Sequence, residues 1–131
     1  MRTLFSKFLG DKGERHAARF LKKQGLRIIA RNYKTQIGEI DLIALDGNQV
    51  VFVEVKTRKS TYFGEPVEAV GYAKQKKLTQ LALAYLKKYQ LLDRPARFDI
   101  VGIVWPEDSK TPEVKHYRNA FEATGRGQMF S

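Results

Sequence analysis

Four ionisable residues, Glu39, Asp41, Glu54 and Lys56, interrupt an otherwise apolar, β-forming stretch, GEIDLIALDGNQVVFVEVKTR at 38–58. Charges inside a sheet cost on the order of several kcal/mol each unless they are paired or bind a metal. Glu54 and Lys56 stand two apart, so they share one face of a strand. The DGN turn brings the two halves together as a hairpin. With Gly47 and Asn48 at the turn, Ile43 faces Phe52, Asp41 faces Glu54 and Glu39 faces Lys56. A turn at Asp46-Gly47 slides the partners by two but leaves Asp41, Glu54 and Lys56 on one face. Carboxylates this close repel, and one must keep a proton unless a cation sits between them. A hard divalent ion such as Mg²⁺ resolves the conflict, with carboxylate oxygens and waters as ligands. Lys56 would then orient or deprotonate an attacking water, or stabilise the charge of a phosphorane-like transition state. That is equipment for hydrolysing a phosphodiester. The competing reading is a solvated ladder with an ordinary Glu39–Lys56 ion pair. The intervening Ile40, Leu42, Val51, Val53 and Val55 weigh against it, because they imply a covered sheet.

Other elements must hold this hairpin. Asp11 to Gln24 reads as a helix, with Asp11 and Glu14 as a capping box and Gly25 as the stop. Glu14 shares its face with Ala17, Ala18 and Leu21, so it is either that cap or a further metal ligand. Residues 26–34 form a strand, followed by the hairpin strands 37–45 and 50–57. After a loop at 58–66, a long helix runs from about Val67 to Tyr89. On it Lys74 lines up with Leu78, Leu81 and Tyr85, which a lysine extending from a helix end explains. Residues 97–105 are a further strand, 114–119 an edge strand, and 120–131 a short helix or tail. The order α-β-β-β-α-β-β predicts an α/β fold, a mixed four- to five-stranded sheet flanked by helices.

A chain of 131 residues fits one domain, with its core at about 10–105 and an edge strand and tail at 106–131. The absence of cysteine excludes disulfides and thiolate metal sites and suits a reducing compartment. With no apolar stretch of membrane-spanning length and no secretory pattern, the expectation is a cytoplasmic protein without a membrane partner. Lysine and arginine number 24 against 14 acids, and a net charge of +10 on one small domain favours a polyanion such as nucleic acid. His16 and His116 lie far apart, and neither has a second ligand at metal spacing.

GEIDLIA followed by VVFVEVKTR resembles the PD-(D/E)xK nucleases, with Ile40 where that motif names proline. Together with GERHAARFLKKQGLRIIARNY upstream and RFDIVGIV downstream, the match over about 10–105 looks like the bacterial YraN family, itself similar to archaeal Holliday junction resolvases. The resemblance implies a restriction-endonuclease-like core. It also implies Asp41 and Glu54 as ligands of Mg²⁺ or Mn²⁺, the Val55 carbonyl as an extra ligand, Lys56 as the catalytic lysine and Glu14 as the helix-borne acid. Lys74 or Gln75 loosely matches a polar helical position used by some members. The expected activity is a metal-dependent endonuclease on DNA, branched or damaged, in repair or recombination, and a homodimer follows from the resolvase likeness. The alternative is a nucleic-acid-binding adaptor with a vestigial site. Arg31, Lys34, Arg58, Lys59, Lys74, Lys76 and Lys77 are the expected phosphate contacts, and Tyr62 and Phe63 would wedge or stack on bases or serve as core or dimer contacts. Asp99 is assigned no role beyond a pairing with Arg97 or a neighbour.

Overall fold

The computed structural model describes residues 4–62 and 64–124. Helix α1 (Leu4–Lys23) leads into strands β1 (Arg27–Lys34), β2 (Glu39–Asp46) and β3 (Gln49–Arg58). A 3₁₀ turn (Pro66–Ala69), helix α2 (Tyr72–Lys88) and strands β4 (Ala96–Val104) and β5 (Glu113–Phe121) follow. The five strands lie side by side in sequence order. Only β3 and β4 run parallel, because α2 carries the chain back across the sheet between them. This is the mixed, five-stranded α/β arrangement that the sequence predicts.

Alternation along β3 sorts its side chains into two cores. Val51, Val53 and Val55 pack with Val101 and Ile103 of β4 against Ala17, Ala18 and Leu21 of α1. Val50 and Phe52 pack with Phe98 and Ile100 against Leu78, Leu81, Tyr85 and Leu86 of α2. Both faces are covered, which is why β3 and β4 read as nearly unbroken apolar runs. Among the described residues, no helix is long and apolar enough to cross a membrane.

The structure moves three sequence boundaries. Helix α1 begins at Leu4, so Asp11 lies inside it and the expected capping box with Glu14 does not form. Leu9 packs against the same core as Ala17 and Leu21, and that contact carries the helix past the local start signal. Its end is as expected. Gly25 takes φ +96°, with Gly25 N–H donating to Lys22 and Leu26 N–H to Leu21, the Schellman pattern. The long helix expected from Val67 is broken, because Gly71 is extended at φ −82° and ψ −176° and α2 starts only after it. Val67 and Val70 nevertheless pack with the α2 core, which is why they read as part of one helix. Ala120 and Phe121, expected in a terminal helix or tail, continue β5 because Phe121 stacks on Phe98 at 4.7 Å. Residues 125–131 of that tail lie outside the described residues.

Asp99 is fully buried on β4 and its carboxylate is saturated. It accepts hydrogen bonds from Arg97 Nε (2.9 Å) and Nη2 (3.1 Å) and from the Asn119 N–H (2.9 Å), and His116 Nε2 lies 2.8 Å away. Arg97 Nη1 also donates to Asp46 and Gln49, both at 2.8 Å. Burial pushes the Asp99 carboxyl up, but the bonds from His116, Arg97 and Asn119 outweigh it and hold the group below the ordinary carboxylate range. This stabilisation is present above the unfolded pKa of about 3.9 and is lost as pH falls through the lower folded value. Asp99→Ala strands Arg97 as a buried cation without its main partner, and urea unfolding at pH 7 should show a loss of about 3–5 kcal/mol. Asp99→Asn should flatten the acid limb of stability below pH 4; an unchanged limb would mean that this cluster does not govern it.

Candidate active site

The hairpin register is the expected one over its first half. Gly47 takes φ +60° and Asn48 does not, the arrangement of a II′ turn, and the ladder runs from Asp46–Gln49 to Leu42–Val53. There it stops. Asp41 and Glu54 are not opposed in the ladder as the unbroken count predicts, and neither are Glu39 and Lys56. Instead the Val55 N–H donates to Asp41 Oδ2 at 2.8 Å, so a side chain does there what a strand carbonyl does elsewhere. Burial records the same break. Leu42 and Ala44 pack toward α1, whereas Ile40 packs with Ile43 toward α2. Regular alternation would put Ile40 with Leu42 and Ala44, so β2 changes phase at Asp41. In a strand the N–H and C=O of one residue point to the same neighbour, which directs the Val55 carbonyl into the same fork.

A cavity of about 380 Å³ opens at the fork, and Glu14, Glu39, Asp41, Glu54, Val55, Lys56, Thr57 and Lys74 line it. It thus gathers every residue expected to be catalytic or a metal ligand, from α1, β2 and β3, and adds Lys74 from α2. Glu54 is 3% exposed and faces two ammonium groups, Lys74 Nζ at 3.2 Å and Lys56 Nζ at 3.8 Å. Lys74 was expected among the peripheral phosphate contacts; the structure makes it the nearer partner of Glu54. Burial, then the charge of Glu54 and a hydrogen bond shared with it, push the Asp41 carboxyl up to about 8, and the charge of Glu14 adds to this. The Val55 N–H acts in the opposite direction and is outweighed.

Glu14 reaches this cavity because α1 lies unusually close to β3. Gly13 makes that approach: a β-carbon there would collide with Thr57 Oγ1 and sit 3.1 Å from Thr57 Cβ. The sequence contained this signal in a glycine placed within a helical pattern, but the partner strand was not visible locally. Among the described residues no group of three carboxylate or imidazole side chains is gathered tightly enough to cage a metal. What exists is a carboxylate pair, a backbone carbonyl aimed into the fork and room for water, a donor set suited to a hard, hydrated ion.

The expected nucleic-acid contacts are spread around this centre. Arg31 and Lys34 are exposed on β1, Lys59 on the loop after β3, and Lys76 and Lys77 on α2; Arg58 is half-buried. Arg31 lines a neighbouring cleft of about 200 Å³ that also contains Asp11, Glu14, Arg15 and Asn32. Lys77 Nζ donates to the Ile37 carbonyl at 3.4 Å. Tyr62 is 84% exposed, and Phe63 lies outside the described residues. The larger cavity of about 430 Å³ is elsewhere, beside Arg97, whose guanidinium is already committed to Asp46, Gln49 and Asp99.

Fold and site together define an α/β protein in which a forked hairpin, covered by helices on both faces, gathers a carboxylate pair and two lysines around one cavity. The chain belongs to the family described as "Uncharacterised protein family UPF0102", whose profile matches residues 13–103. It is 45% identical over 122 residues to a UPF0102 protein of Caldanaerobacter subterraneus subsp. tengcongensis, covering 92% of this chain and 100% of that one. A UPF0102 protein of Symbiobacterium thermophilum is 47% identical over 118 residues, with 90% and 99% covered. One from Geotalea uraniireducens is 44% identical over 117 residues, with 89% and 91% covered.

An acid whose folded pKa is raised binds its proton longer folded than unfolded, so it subtracts stability as pH climbs. For Asp41 that window runs from the ordinary 3.8 to about 8. Without divalent ions, Asp41→Asn should stabilise the protein at pH 8 by on the order of 2 kcal/mol, and by much less at pH 4. Equal midpoints at both pH values would rule out the raised pKa. Gly13→Ala improves helix propensity yet should lower the melting temperature, because α1 must move off Thr57; a rise would show that the close approach is dispensable.

Proposed function

We propose that this protein is a metal-dependent endonuclease of the PD-(D/E)xK type, hydrolysing phosphodiester bonds in DNA. The observation that carries this reading is the Asp41–Glu54 pair, two carboxyls lining one cavity that also holds Lys56 and Lys74. Natural cores avoid such a conflict, and a cleft that keeps one is a functional-site candidate. Asp41, Glu54 and the Val55 carbonyl would hold Mg²⁺ or Mn²⁺, with Glu14 reaching it through water. Bound there, the ion would polarise the scissile phosphate and lower the pKa of a water.

The chain's own side chains supply the rest. Lys56 projects from β3 beside Glu54 and would hold the attacking water or meet charge developing on the phosphate. Lys74 balances Glu54 before substrate arrives and is free to turn to a phosphate when a divalent ion takes over that carboxylate. Arg31, Lys34, Lys59, Lys76 and Lys77, under a net charge of +10, would hold the polyanion by its backbone without reading its sequence. The likeness to Holliday junction resolvases favours branched DNA as substrate and a homodimer as the working form. A second reading, a nucleic-acid-binding adaptor with a vestigial site, draws on the absence of a third close carboxylate among the described residues.

A panel of junction, flap, nicked, duplex and single-stranded DNA separates the two. With Mg²⁺ or Mn²⁺ the wild type should cleave at least one substrate. Glu54→Ala, Asp41→Asn and Lys56→Ala should each lower the rate by about 10³-fold or more while leaving DNA affinity within a few-fold. Salt-dependent binding with no cleavage across the panel, and no divalent-ion heat by calorimetry, would replace the nuclease reading with the adaptor.

A further inference from the structure

Asn32 lies in the middle of β1 with φ +49°, the left-handed region that residues with a β-carbon seldom enter. Asparagine is among the few that tolerate it. Its position is as informative as its conformation. Arg31 is paired with Leu42 and Tyr33 with Ile40, so Asn32 and Asp41 come opposite one another between two ladder pairs without forming one. Both strands change phase there. On β2, Ile40 and Ile43 pack on the α2 side although they stand three apart. On β1 their partners Ala30 and Tyr33, also three apart, pack on that same side. Regular strands cannot do this, since residues three apart point to opposite faces. One backbone reversal at Asn32 accounts for the change on β1 and meets the matching change at Asp41.

The geometry points to Asn32 as the positioning residue of the site: its left-handed backbone makes the turn by which the Asp41 carboxylate leaves the sheet register and reaches the Val55 N–H. The relevant property is backbone permissiveness, so glycine should substitute and a β-branched residue should not. A valine at 32 would drive β1 back toward regular extension, and β2, paired on both sides of the break, would follow. Asp41 would then swing from the fork into the ladder. Asn32 also lines the smaller cleft, which shares Glu14 with the cavity at the fork. The consequence for catalysis rests on the nuclease reading; the consequence for Asp41 does not.

The test therefore reads Asp41 directly, in the full chain without metal. Amide hydrogen exchange at Val55 reports its bond to Asp41, and the amides of Phe52 and Val101 control for global opening. In Asn32→Gly, Val55 should exchange within about twofold of wild type. In Asn32→Val it should exchange roughly tenfold or more faster, with Phe52 and Val101 unchanged. Asn32→Ala serves the same comparison if the valine variant does not fold. Manganese affinity, measured by calorimetry, should fall in the same order. Unchanged Val55 exchange in both the valine and alanine variants would overturn the proposal. So would equal loss in the glycine variant, which would assign the effect to the amide side chain. If the wild type binds no manganese yet the Val55 exchange follows the expected order, the metal reading fails and the positioning role stands.

Discussion

The hydrogen bond from the Val55 N–H to the Asp41 carboxylate is the contact on which the site depends. A sheet interior has no spare donors or acceptors, so two strands can part only where something else satisfies the backbone they expose. Asp41 supplies that acceptor at 2.8 Å and lets β2 and β3 separate beyond Leu42 and Val53. The opening exposes the Val55 carbonyl edge, admits solvent and leaves Glu54 facing a cavity instead of a neighbouring strand.

Two groups of charges sit in this sheet, and they obey different rules. Around Asp99 the acceptors are matched by donors from Arg97, His116 and Asn119, and the carboxyl is held in its charged form. That cluster pins β5 to β4 across the irregularity between Phe98 and Ile100. Around Asp41 the balance is reversed, with burial and the charge of Glu54 pushing its carboxyl up to about 8. Buried charge that is satisfied locally acts as structure. Buried charge left in conflict marks a candidate functional site.

Much of this was legible in the sequence. The hairpin register followed from counting across Gly47 and Asn48, because a two-residue turn and a two-residue period leave little freedom. Gly25 ended α1 as expected, since only the residue beyond the helix needs a left-handed backbone there. The start of α1 and the break at Gly71 were misread for a common reason. Local signals compete with packing, and both Leu9 and the Val67–Val70 pair are held by partners far away in sequence.

The sequence by itself singled out the charged residues of the hairpin as candidates, because residue type and a period of two or 3.6 are local properties. Asp41, Glu54 and Lys56 were legible in that way, whereas Glu14 stayed open between a helix cap and a ligand and Lys74 read as a lysine extending from a helix end. Tertiary structure decided how they meet. Whether β2 stays in register past Leu42 depends on Asn32 in a different strand, and whether Glu14 reaches the fork depends on Gly13 meeting Thr57. Lys74 is brought to Glu54 because α2, starting after Gly71, packs on the sheet face that carries Val50 and Phe52. These are contacts between segments, and only the packed chain specifies them.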